Sequence, residues 1–275
     1  MARITDGIRP RTVAMAAMLA MASPVQAGSF EAVFEQYRDR EYGAALEGLQ
    51  RLSEAGDAEA TYWLGNMYFW GRGAGAGGVE QDLDEAYRIW HPIAEAGDAR
   101  AQWRLGWMYR WGRGAGQDRE EAARWYRRAA DAGHAAAMND LGELYLGGRG
   151  VAQDTAEAKA LFLAASEAGH RAGAHNLGRI YWTDRYDLQD DARAVHWFRI
   201  SAERGYGPAL RDLGHAHWQG RGVEKDLMEA LRLIVLSEGA GGGDSTRTLL
   251  RILDEMTPEE RAEADRLYEG WLAEE

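Results

Sequence analysis

The chain of 275 residues contains no cysteine. That excludes a disulfide-stapled fold and a lipid-anchored amino terminus, and leaves stability to packing alone. Proline is scarce, five in all, and only Pro92 falls inside an otherwise helical pattern. Basic residues are outnumbered, 32 Lys and Arg against 44 Asp and Glu, for a net charge of −12. A chain of this charge repels phosphate backbones, so nucleic acid is not an expected partner. No apolar run is long enough to span a bilayer as a stable anchor. Phosphate-loop and His-Glu-x-x-His patterns are missing too. The one glycine fingerprint, Gly73-x-Gly75-x-x-Gly78, follows a helical pattern instead of a strand and lacks pyrophosphate geometry.

The first 27 residues stand apart. Arg3, Arg9 and Arg11 precede an apolar stretch from Val13 to Met21, followed by Val25-Gln26-Ala27. These are the marks of a secretory signal peptide cleaved after Ala27, which places the mature chain in the periplasm or outside the cell. Pro10 separates Arg9 from Arg11, so the twin-arginine signal is not met. Cleavage removes three arginines and one aspartate, a net +2, and takes the chain from −12 to −14.

Beyond Ala27 a pattern returns every 36 residues. Gly106, Gly142, Gly178 and Gly214 each follow a leucine, and a tyrosine stands three residues on at Tyr109, Tyr145 and Tyr181, with His217 in the last copy. Gly97, Gly133, Gly169 and Gly205 keep step, as do Asp82, Asp118, Asp154, Asp190 and Asp226. Self-similarity at this period defines a solenoid of small units, none of which buries its apolar face alone. Within one unit, Ala101, Leu105, Met108 and Tyr109 form an apolar stripe on a first helix. Gly112 to Gly116 break it, Asp118 caps a second helix, and Ala122, Trp125, Tyr126 and Ala130 line that helix's buried face before Gly133. A mid-helix glycine costs about 1 kcal/mol relative to alanine. Five of them, from Gly65 to Gly214, imply a neighbour too close for a side chain.

The pattern A-x(3)-LG-x(2)-Y-x(2)-G-x-G followed by D-x(3)-A-x(2)-W-x(4)-A-x(2)-G resembles the Sel1-like repeat, a relative of the tetratricopeptide repeat. The resemblance implies an all-α, right-handed superhelical α/α solenoid, with five repeats over 58–241. A helical half-repeat over 28–57 and capping helices over 242–275 would flank them. Three departures stand out: five extra residues near Gly75 to Val79, Pro92 inside a second helix, and Asp184 and Tyr186 in place of turn glycines. The last should force a different turn. Thr257-Pro258-Glu259-Glu260 is a capping box opening a final helix, whose Ala262, Leu267, Tyr268, Trp271 and Leu272 should cover the open end.

In curved arrays of this kind the first helices line the concave surface, and binding is expected where the copies differ. The varying positions carry Tyr62, Trp70, Trp103, Arg104, Trp107, Arg110 and Trp111 toward the amino-terminal end. His175, Arg179, Trp182, Arg211 and Trp218 follow further on. Aromatics and arginine supply most of the binding energy in protein interfaces, so the expected ligand is a protein or peptide. Packing between repeats is the other role open to these tryptophans. His215 and His217 point about 200° apart on a helix and cannot chelate one metal. No metal, cofactor or catalytic residue is assigned. Sel1-like proteins are similar to adaptors that hold partner proteins, which favours a non-catalytic scaffold. The alternatives are a cell-wall glycan binder and a hydrolase of cell-wall or penicillin-like substrates. Penicillin-linked relatives carry a disulfide in each repeat, which this chain lacks.

Overall fold

A computed structural model describes residues 28–272; the leader assigned to residues 1–27 lies outside them. The described residues form helices only. α1 (Phe30–Arg38) and α2 (Tyr42–Glu54) precede five pairs: α3 (Ala58–Trp70) with α4 (Leu83–Glu95), and α5 (Ala99–Trp111) with α6 (Arg119–Asp131). Next come α7 (Ala135–Gly147) with α8 (Thr155–Glu167), α9 (Arg171–Trp182) with α10 (Asp191–Glu203), and α11 (Gly207–Gln219) with α12 (Leu227–Gly239). α13 (Thr246–Glu255) and α14 (Pro258–Leu272) close the array.

The aspartate ladder sets where each second helix begins. Asp82, Asp118, Asp154, Asp190 and Asp226 all sit at N-caps in extended conformation, each accepting from a backbone N–H of the first turn. Such caps contribute about 1 kcal/mol each. First helices end on left-handed glycines, Gly71, Gly112, Gly148 and Gly220. The fourth pair has none. There Thr183 is extended, Asp184–Tyr186 turn as a short 3-10 helix, and Asp187 takes the left-handed conformation at φ 53°. α4 runs through Pro92 and keeps the 13-residue length of the other second helices.

The central glycines seat side chains of the second helices, four of them rings. A Cβ on Gly65, Gly106, Gly142, Gly178 or Gly214 would stand under 3.0 Å from a side chain of the partner helix: Trp90, Tyr126, Phe162, Phe198 and Ile234 in turn. These five recur at the 36-residue period, and all are fully buried. The close neighbour is thus a side chain that fills the space a Cβ would take.

Ends are closed differently. Val33 of α1 packs on Gly48 of α2, and the Phe34 and Tyr37 rings meet Trp63 at a tilt, with centroids at 4.7 and 5.3 Å. At the other end Thr257 and Glu260 form the reciprocal capping box, at 2.8 and 3.2 Å. Ile252, Met256, Ala264 and Trp271 bury against Ala230 and Ile234. Ala262, Leu267 and Tyr268 face outward instead of covering the array, because Ala264 and Trp271, seven apart, define the buried stripe of α14.

Candidate binding face

The face opposite the second helices is made by α3, α5, α7, α9 and α11. Residues two before the central glycine point about 200° away from it, and residues five after it about 140° away. These places hold Arg104, Asp140, Asn176 and Asp212, then Trp70 and Trp111.

Adjacent first helices are joined by side chains. Trp103 Nε1 donates to Asp140 Oδ2 at 2.7 Å, Asn176 Nδ2 to Asn139 Oδ1 at 2.9 Å, and His175 Nε2 meets Asp212 Oδ2 at 2.8 Å. All three bonds span 37 residues. They link the position three before one glycine to the position two before the next. Arg104 Nη2 donates to Asn66 Oδ1 at 3.2 Å, and Arg110 Nη2 to Glu143 at 2.7 Å.

Several residues expected on the open face are therefore turned into the seams. Tyr62 is 9% exposed, stacks on Trp90 and lies beneath the Arg100 guanidinium at 4.3 Å. His175 is 6% exposed, against Phe198 and Tyr206. Trp103 is half-buried and stacks on His134 at 5.3 Å. Trp107 is half-buried edge-on to Phe69 at 5.2 Å. Trp182 is half-buried, with the Arg221 guanidinium 3.9 Å from its ring. Arg211 binds Asp212 and the Gly242 carbonyl. Trp218 donates to Glu255 of α13, away from the others.

What stays open forms two groups. Trp70 and Trp111 are 52% and 53% exposed. The Arg104 guanidinium lies 5.9 Å from the Trp70 ring and the Arg110 guanidinium 5.0 Å from Trp111. Farther along, Arg179 is exposed and lines a cavity of about 240 Å³ with Asn176, Trp182, Arg185, Tyr186 and Asp212, beside the 3-10 turn.

Charge in the seams is uneven. Burial pushes the Asp140 carboxyl up to about 6, against the Trp103 hydrogen bond. Arg110 is 3.7 Å from Asp140 but 2.7 Å from Glu143, so it serves mainly the latter. Asp212 is held below the usual carboxylate range, because hydrogen bonds from His175 and Arg211 overcome its burial. The seam residues Asp140, Asn176 and Asp212 were not singled out from the sequence. Their signal is the recurrence of polar partners at 37 residues instead of 36.

Among the described residues no three His, Asp or Glu side chains converge to hold a metal ion. No described helix is long and apolar enough to cross a membrane.

Fold and face together define an α/α solenoid whose repeats present a continuous row of first helices. The Sel1 repeat model matches residues 58–98, 99–134, 135–170, 171–206 and 207–234, and the chain belongs to that family. Proteins of this family generally mediate protein–protein interaction and are typically non-catalytic. The structure is similar to a Sel1 repeat protein from Oxalobacter formigenes, with 27% identity and a TM-score of 0.74 over 88% of this chain and 94% of that one. It is also similar to a protective antigen of uropathogenic Escherichia coli with an SLR fold, with 28% identity and a TM-score of 0.72 over 86% of this chain. Only 51% of that antigen's length is covered. An immunity protein from Pseudomonas aeruginosa, 20% identical with a TM-score of 0.52 over 76% of this chain and 82% of that one, shares the fold. Comparison with curated proteins finds no match.

Proposed function

We propose that the chain is a non-catalytic adaptor of the bacterial cell envelope that holds a protein or peptide on the concave face formed by its first helices. One observation carries this: Trp70 and Trp111, both more than half exposed, stand on that face beside Arg104 and Arg110. A tryptophan is a large rigid surface that loses little entropy on contact, and truncating such an anchor in an interface costs about 2 kcal/mol or more. Neither ring donates a hydrogen bond within the described fold, unlike Trp103 and Trp218.

The test is Trp70→Ala combined with Trp111→Ala in the mature protein, used to capture partners from an envelope extract. The helical circular-dichroism signal should hold, since both side chains are largely solvated, while capture should be lost. Undiminished capture refutes the assignment to this face. Placement in the envelope rests on the basic and apolar leader ending at Ala27. Sequencing of the protein from a periplasmic fraction should read from Gly28; an intact Met1 refutes export by cleavage.

A further inference from the structure

We infer that the first-helix face carries a receptor for a peptide carboxylate at Arg104, so that the ligand is a segment in which an acidic residue stands beside an apolar one. This rests on the reading of the face as the binding surface and specifies what it binds.

Arg104 is the exception among the arginines of its helix. Arg100 is held by Glu59 and Asp98, and Arg110 by Glu143. Among the described residues no carboxylate pairs with Arg104; its one hydrogen bond runs from Nη2 to the Asn66 amide oxygen at 3.2 Å. Arg113 and Arg179 also lack a carboxylate, but both are exposed, where water supplies acceptors. Arg104 is only partly exposed, and its Nε is buried with no partner.

Around it stand rings. The guanidinium carbon lies 4.8 Å from Trp103, 5.1 Å from Phe69, 5.5 Å from Trp90 and 5.9 Å from Trp70. Aromatic faces attract the cation but offer nothing to its in-plane N–H groups. The planar fork therefore has too few acceptors, and a carboxylate is the group that matches its geometry and charge. The rings also fix the guanidinium in place, so less order is lost on binding. Beside it, the exposed half of Trp70 offers an apolar surface to the residue next to the carboxylate.

The rest of the molecule limits the anion. With a net charge of −12, the chain repels a polyanion at long range. A single carboxylate brought to one guanidinium interacts within the screening length of about 8 Å. A short acidic and apolar peptide satisfies both conditions; a nucleic acid does not.

The experiment follows tryptophan fluorescence of the mature protein during titration with three end-blocked eight-residue peptides of serine and leucine that carry one glutamate, glutamine or lysine beside a leucine. Only the glutamate peptide should bind. Arg104→Gln should weaken it at least tenfold. Arg104→Lys, which keeps the charge and loses the fork, should weaken it by less. Arg88→Gln, on an exposed second-helix side chain, should change nothing. Equal binding of the glutamate and glutamine peptides overturns the carboxylate receptor and leaves the binding face standing. Full binding by Arg104→Gln overturns it as well, as does binding of none of the three. The face itself is judged separately by the Trp70 and Trp111 capture experiment, which does not depend on ligand charge. Should Arg104→Gln fail to fold, the wild-type peptide comparison and Arg104→Lys decide the question.

Discussion

Replacing Gly142 by alanine sets two effects of known sign against each other. Alanine in a helix interior is favoured over glycine by about 1 kcal/mol. Here the new Cβ would lie 2.7 Å from Phe162 Cε1 and 2.9 Å from Cδ1. The ring has little room to withdraw: Phe162 is fully buried, and its backbone is in turn close to α9, where a Cβ on Gly173 would meet the Phe162 carbonyl oxygen at 2.8 Å. Overpacking of this kind costs roughly 1–3 kcal/mol. The net expectation is a loss of about 1 kcal/mol. Gly270, helical and with nothing within 4 Å of its added Cβ, is the control, and Gly270→Ala should gain up to about 1 kcal/mol. Urea unfolding followed by circular dichroism should move the two midpoints in opposite directions at unchanged slope. Adding Phe162→Leu to Gly142→Ala should cost less than the separate effects together, because the clash goes with the ring. If Gly142→Ala raises the midpoint as Gly270→Ala does, the seating of rings on glycines is refuted.

Further outcomes follow from the caps, the seams and the closing helices. His170 stands at an N-cap without a side-chain bond, its Nδ1 buried and unpartnered, where Asp57 and Asp98 cap the equivalent helices. His170→Asp should raise stability by about 1 kcal/mol in thermal or urea unfolding; no gain refutes the equivalence of these sites. Folding raises the Asp140 carboxyl from 3.8 to about 6, so the folded state binds this proton more tightly than the unfolded chain. Stability should therefore fall as pH rises from about 4 to about 6 and level off above. Asp140→Asn, which keeps an acceptor for Trp103, should remove that segment of the pH profile, and an unchanged profile refutes the assignment. A chain ending at residue 244 would bare Ala230 and Ile234 by removing Ile252, Met256 and Trp271. It should bind a hydrophobic dye and aggregate, whereas a soluble, dye-free product refutes the capping role of α13 and α14.

Local rules were legible because each is written within one repeat. The aspartates at 36-residue intervals became N-caps, the fourth turn avoided positive φ at Asp184 and Tyr186, and Thr257 with Glu260 formed the capping box. The face was read less well. Variation at Tyr62 and His175 suggested outward-facing positions, yet both are buried. The physical reason is that each first helix leans its leading edge on the next one, and a contact between units leaves no mark in the pattern of a single unit. Leu267 and Tyr268 were misplaced for a related reason: α14 packs only one narrow stripe, and its remaining apolar residues face out.

Variation along this solenoid is of two kinds, and the seams separate them. Trp103 with Asp140, Asn139 with Asn176, and His175 with Asp212 are three chemical solutions to one geometric task, a side-chain bond between neighbouring first helices. Changing one member alone leaves a partly buried polar group unmatched, at a cost of about 1–3 kcal/mol. These residues therefore fix the order in which repeats can stack. Exchanging the second and third repeats would set Asn139 beside Arg104 and Trp103 beside Asn176, replacing the carboxylate that accepts from the indole with an amide. Residues that vary without such a partner are free of that constraint. Trp70, Trp111 and Arg179 are of this second kind, and Arg104 stands beside Trp70 with its single bond to Asn66, which is why the ligand is to be sought with these four and not along the whole variable row.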